Sequence, residues 1–191
     1  LEVKKLEVYF CFLLLSLSVV GLGQSGVNIN GYVETTEGKI DEIEVRLYQE
    51  NKLINSKKVH YKQRFSFDLE RNQLYTLEAH HAGYLPKRMA IYTDMAEEVK
   101  VEHQYRFIMT LIRIPDSVNV DASELDFPVT IIRYSDKDHK FDYIEKYTKE
   151  MDKLQNLIVK EVDSELEKME ADEKKWIKKA KHMGGSRKSL N

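Results

Sequence analysis

The sequence predicts a mainly β chain: a seven-stranded β-sandwich, one added strand and a long C-terminal α-helix. Three observations carry this. Between Val27 and Ile114, apolar and polar residues alternate in short runs separated by turn residues. From Tyr143 to Lys181 there is neither Gly nor Pro, and apolar residues return every three or four positions. The chain of 191 residues is 42% hydrophobic with 11 Tyr and 7 Phe, more apolar area than a disordered polyelectrolyte carries. Thirty Lys and Arg against 32 Asp and Glu give a net charge of -2. That balance offers no global support for nucleic-acid binding.

The first 23 residues read as a signal peptide. Lys4 and Lys5 precede the apolar run Val8–Val20, and Gly21-Leu22-Gly23 places small residues where a signal peptidase cuts. The run is shorter than the roughly 20 residues a membrane span needs. Cleavage after Gly23 leaves Gln24 as the mature N-terminus and implies export to the periplasm, the outer-membrane periphery or the cell surface. The single cysteine, Cys11, lies inside the run. One thiol excludes an intrachain disulfide and a thiolate zinc site, and a cysteine-free mature chain suits an oxidising compartment.

Strand by strand, Asn28–Val33 ends at the turn Thr36–Lys39. In Glu42–Tyr48 the residues Ile43, Val45 and Leu47 share one face, and Glu50-Asn51-Lys52 turns the chain. Leu53–His60, with Asn55, Ser56, Lys57 and Lys58, has the polarity of an edge strand. Arg64–Leu69 buries Phe65, Phe67 and Leu69, and Leu74–Ala79 buries Tyr75, Leu77 and Ala79. Gly83 breaks the run before Leu85–Thr93, where Pro86 sits near the start and its missing N–H is tolerated. Val99 to Leu111 is the longest alternation. Seven strands in about 90 residues match the size of an immunoglobulin-like sandwich.

Gly31-Tyr32-Val33, the Ile43-x-Val45-x-Leu47-Tyr48 strand, Phe65-x-Phe67-x-Leu69, and Tyr75-x-Leu77 leading into Gly83-Tyr84 together resemble the carboxypeptidase regulatory-like module. This is a transthyretin-type β-sandwich of secreted Bacteroidetes proteins. The resemblance spans Val27 to about Leu111, within a domain drawn at residues 24–114. It implies an accessory, non-catalytic domain with no family catalytic residue to carry over.

Residues 115–140 read as an acidic linker followed by an added strand, Phe127–Tyr134. Residues 141–183 read as a charged amphipathic helix, roughly 57 Å long at 1.5 Å per residue, and 184–191 as a flexible basic tail. Ile144, Tyr147, Met151, Leu154 and Ile158 form an a/d stripe, after which Val162, Leu166 and Met169 depart from heptad register. So thin a stripe needs a partner: the sandwich, a second copy, or another envelope protein. Lys174, Lys175, Lys178 and Lys179 surround Trp176 with no acid among them, directly after the acidic run Glu161–Glu173. Such a cluster suits an anionic surface or complements the helix dipole at its C-terminal end.

Other clusters point to structure rather than chemistry. His80 and His81 are adjacent on a strand and face opposite ways. Asp136, Asp138 and His139 read as a polar turn and helix N-cap. Asp116, Asp121, Glu124 and Asp126 lack the glycine and spacing of an EF-hand and read as a solvated linker. No Gly-x-Ser-x-Gly, His-Glu-x-x-His or Walker-type loop occurs. The sequence therefore nominates no catalytic, cofactor or metal residue. It leads to a non-enzymatic interaction or assembly module of the bacterial envelope. The alternative is a glycan-binding sandwich using Tyr48, Tyr61, Tyr84 and Tyr92 as a platform. Protein from the native host is expected to begin at Gln24 by intact mass; retention of Leu1 to Gly23 overturns the signal peptide.

Overall fold

The computed structural model describes residues 26–96, 99, 103–115, 117–118, 120–121 and 123–185. The signal peptide and the mature N-terminus at Gln24 that the sequence predicts fall outside the described residues, as do Val101, Asp116 and the residues beyond 185. The fold is mainly β, with nine strands among the described residues and one long helix. The strands are β1 (Val27–Thr35), β2 (Ile43–Gln49), β3 (Lys52–Val59), β4 (Phe65–Leu69), β5 (Leu74–His80), β6 (Lys87–Tyr92), β7 (His103–Leu111), β8 (Thr130–Ser135) and β9 (Lys140–Tyr143). One turn of 3-10 helix spans Ser123–Leu125, and α1 spans Glu145–Gly185.

Two mixed sheets form, one ordered β4-β1-β7 and the other β3-β2-β5-β6-β8-β9. The first pairs β1 parallel with β7, and the second pairs β6 parallel with β8. Alternation explains the burial: Val27, Ile29 and Val33 of β1 turn inward, as do Ile43, Val45 and Leu47 of β2. With Phe65, Phe67 and Leu69 of β4 and Tyr75, Leu77 and Ala79 of β5, they join one hydrophobic cluster contributed by both sheets. Phe65 meets Phe67 and Phe107 edge to face at 6.0 and 5.7 Å. β3 lies at the edge of its sheet, as its polarity predicts. The β2–β3 hairpin turns at Glu50 and Asn51, both at positive φ (48° and 63°), the geometry that matches strand twist in a two-residue loop.

Three local expectations change. The helix starts at Glu145 rather than 141, because Lys140–Tyr143 keeps a period of two and pairs antiparallel with β8. Phe141 is buried against Tyr134, ring centroids 5.4 Å apart, and Lys140 bridges to Asp142 at 2.7 Å. Asp136, Asp138 and His139 accordingly sit in the β8–β9 turn, not at a helix N-cap; Ser135 donates to Asp138 at 2.9 Å and His139 takes a φ of 49°. The described residues between 115 and 129 do not form a solvated spacer: Asp121 and Asp126 are exposed, yet Val118, Leu125 and Val129 are buried.

Gly31 has a steric reason for its identity. A Cβ there would stand 2.6 Å from the Phe107 carbonyl oxygen and 2.7 Å from its ring. Phe107 is its register partner on β7, so backbone cannot yield. Gly31→Ala is expected to destabilise the fold by about 1–3 kcal/mol, in the range of core overpacking. Urea denaturation measures it, and an unchanged midpoint would mean that β1 and β7 are less closely paired.

Candidate interaction surface on the C-terminal helix

Helix α1 divides into two halves. In the first, Met151, Ile158 and Val162 are buried and Tyr147, Leu154 and Leu166 partly so, packed on Val118, Leu125 and Val129 with Leu85, Ile114 and Val120 around them. This second cluster joins the 115–129 segment to the helix, and Tyr147 donates its hydroxyl hydrogen to the Pro128 carbonyl. Of the predicted stripe, Ile144 is half-buried, and Tyr147, Met151, Leu154 and Ile158 serve the chain's own packing.

A buried and a half-buried polar group meet at this contact. Gln155 is buried at 7% exposure, its Nε2 has no hydrogen-bond partner among the described residues, and its Oε1 accepts from Lys87 Nζ at 3.4 Å. Burial pushes the Lys87 ammonium below its ordinary value of 10.5, while Asp152 raises it in part. Sequence reasoning missed both residues: each is an ordinary polar residue until the helix docks and brings them together.

The second half of α1 stands clear of the other described residues. From Glu167 to His182 every residue except Ala180 is exposed, with Trp176 at 70%. Local pairs link Lys168 to Glu165 at 2.6 Å, Lys174 to Glu170 at 3.3 Å and Lys175 to Asp172 at 3.1 Å. Among the described residues no ion pair is made by Lys178, Lys179 or Lys181. The basic cluster and Trp176 are therefore brought to one free segment, away from the apolar stripe that docks.

The outer face of the six-stranded sheet is a second surface. In register across three strands, Arg46 of β2 stands opposite Glu78 of β5, which stands opposite Arg88 of β6. Glu78 is buried and bonded to Arg88 at 2.6 Å and Arg46 at 3.3 Å, and Arg46 also reaches Glu44 at 2.5 Å. The Glu44 hydrogen bond holds the Arg46 guanidinium above its ordinary value. A groove of about 450 Å³ lies at the Glu78 and Arg88 end of this row, lined also by Tyr48, Thr76, Asp126 and Pro128. Of the four tyrosines expected as a platform, Tyr48 and Tyr92 share this face, opposite Thr76 and Leu74. Tyr61 lies in the β3–β4 turn, and Tyr84 pairs with Arg113 and packs edge-on to His81 at 5.3 Å.

Among the described residues no three His, Cys, Asp or Glu side chains converge as metal ligands. Nor is any described helix long and apolar enough to cross a membrane. No protein-family model matches the sequence, and no curated protein matches it. Among solved structures, the chain is similar to the crystal structure of S.CueP at 15% identity and a TM-score of 0.32, over 48% of this chain and 65% of that one. It is also similar to 3-chlorocatechol 1,2-dioxygenase from Rhodococcus opacus 1CP at 11% identity and a TM-score of 0.33, over 47% and 60%. The chain thus spans less than two thirds of either protein's length.

The Lys87–Gln155 pair gives a pH-dependent expectation. The folded state holds the Lys87 proton less tightly than the unfolded chain, so its penalty is full below the lowered value and fades as pH rises toward 10.5. Replacing both partners, Lys87→Met with Gln155→Leu, is expected to raise the melting midpoint at pH 7 by about 2–4 °C, equivalent to about 1 kcal/mol. The gain should shrink toward pH 10. Gln155→Leu alone should lower the midpoint, because the half-buried Lys87 ammonium loses its hydrogen-bond acceptor and keeps only the attraction of Asp152. Thermal scans across pH read all three, and a lower midpoint for the double variant at pH 7 would refute the account.

Proposed function

We propose that this chain is a non-enzymatic interaction or assembly module of the bacterial cell envelope. In this reading an exported carboxypeptidase regulatory-like, transthyretin-type sandwich carries a helix whose free half is the contact element. The single observation that supports it is the division of α1. Its first half is anchored by Tyr147, Met151, Leu154 and Ile158, while the second leaves Met169, Trp176 and Ile177 exposed at 43%, 70% and 40%. An uncovered Trp on a well-anchored helix is costly to leave in water and strong in an interface, where Trp is enriched among the residues that dominate affinity. Lys174, Lys175, Lys178 and Lys179 flank it and supply electrostatic attraction to an acidic partner surface.

A second reading, glycan binding, is favoured by Tyr48 and Tyr92 sharing the outer sheet face beside the polar groove. One experiment separates the two. A photo-cross-linking residue is placed at Trp176 or at Tyr92 in the full chain and irradiated in cells of the native host. The interaction reading expects discrete protein adducts from position 176 and none from position 92. Glycosidase-sensitive adducts from position 92 alone would transfer the function to the sheet face.

A further inference from the structure

We propose that the free half of α1 pairs antiparallel with the same segment of a second copy, placing Trp176 of each over Leu166 of the other and Glu165 of each beside Lys179 of the other. This deepens the reading of α1 as the contact element and rests on it.

Charge distribution selects the partner. Glu161 to Glu173 holds seven acids and one lysine, and Lys174 to Lys181 holds five lysines and no acid. Two such helices side by side in parallel would set acid on acid and base on base. Antiparallel, each acidic block meets a basic one, and complementary potentials of this kind fix register and suppress the wrong orientation. Of the lysines left without local ion pairs, Lys179 borders the seam and meets the acidic block of the second copy, while Lys178 and Lys181 lie on the far side of the helix and add only to the longer-range attraction.

The apolar seam agrees. At about 100° per residue, Met169, Trp176 and Ala180 lie within about 40° of Ile158, so they prolong the face that docks. Two-fold pairing centred near Ala171 sets Leu166 opposite Trp176 and Met169 opposite Glu173, each contact made twice because the interface is isologous. Leu166 is where the anchoring cluster ends, half-exposed. The second copy's Trp176 therefore continues an existing hydrophobic cluster. Glu165 and Lys179 flank the seam on the same side, equally far from Asp172. Asp172 meets its own counterpart near the axis, and each copy neutralises it with Lys175 at 3.1 Å.

Within one helix Glu165 and Lys179 are about 21 Å apart at 1.5 Å per residue. A zero-length carbodiimide amide between them can form only between copies. The full chain, as an equal mixture of nitrogen-15-labelled and unlabelled protein, is cross-linked and the peptides are identified by mass. The expected product is a Glu165–Lys179 amide with mixed labels. Sedimentation of the same protein should show a dimer, and Trp176 emission should move to the blue as concentration rises. Lys179→Glu should weaken the dimer roughly tenfold, and Glu165→Lys/Lys179→Glu should return it to within about threefold of wild type.

A chain that stays monomeric at about 100 μM, or a dimer indifferent to both variants, overturns the proposal. So does a monomer that instead binds vesicles of anionic phosphatidylglycerol through Trp176. Failure here leaves the broader reading separable: a monomer that still gives protein adducts from position 176 in cells has lost only the second copy as partner. Absence of both removes the contact role of α1 as well.

Discussion

The docking of Met151, Ile158 and Val162 onto Val118, Leu125 and Val129 is the contact on which the shape of the rest depends. After β7 the chain must leave the three-stranded sheet and reach the six-stranded one to form β8. The crossing segment carries the apolar side chains of Val118, Leu125 and Val129, which cluster with the helix rather than in the main core. Each gains about 1.5–3 kcal/mol when fully buried, so the crossing is stable only under a lid, and the first half of α1 supplies it. Parallel pairing of β8 with β6, and hence the β8–β9 hairpin, follows from the same closure.

The outer sheet face is organised by a different rule. Glu78 is a buried carboxylate, and a buried charge survives only when paired and hydrogen-bonded. Its two arginines come from the neighbouring strands at directly opposed positions, Arg46 on β2 and Arg88 on β6. Arg88 also reaches the Asp126 carbonyl at 2.6 Å, tying this row to the segment that α1 covers. A one-residue slip of β5 would turn Glu78 into the apolar interior, so the ionic row and the inner-face pattern enforce one register.

Much of this was legible in the sequence, for identifiable reasons. Strands β1 to β7 announce themselves through alternation that burial on one face requires, and the polarity of Asn55 to Lys58 marks β3 as an edge. The helix was legible from its long run without Gly or Pro. What stayed hidden needs pairing information. Lys140–Tyr143 is too short for its alternation to outweigh the helical pattern that follows, and the parallel partners of β1 and β6 are far away in sequence. The Arg46–Glu78–Arg88 row and the Lys87–Gln155 pair consist of residues 10 to 68 positions apart, and no spacing rule connects them. For the candidate surface, the basic cluster around Trp176 was visible, but its freedom from the body was not, because exposure depends on where the anchoring cluster stops.

The departure from heptad register after Ile158 takes on a physical meaning once the helix is seen to be anchored at one end only. Tyr147, Ile158, Met169 and Ala180 are spaced at intervals of 11 residues, as are Met151 and Val162. An 11-residue repeat corresponds to 3.67 residues per turn, close to the 3.6 of a straight helix, whereas a strict heptad would drift by about 20° every seven residues. One apolar line therefore runs along the same face through both halves. The half that meets Val118, Leu125 and Val129 is consumed by folding, and the remainder is presented on the same side, beyond the body. The anchoring cluster thus decides the direction in which the free half offers its Met169 and Trp176. A single stripe, set by one period, is divided between stability and contact at the point where the chain's own apolar cover ends, at Leu166.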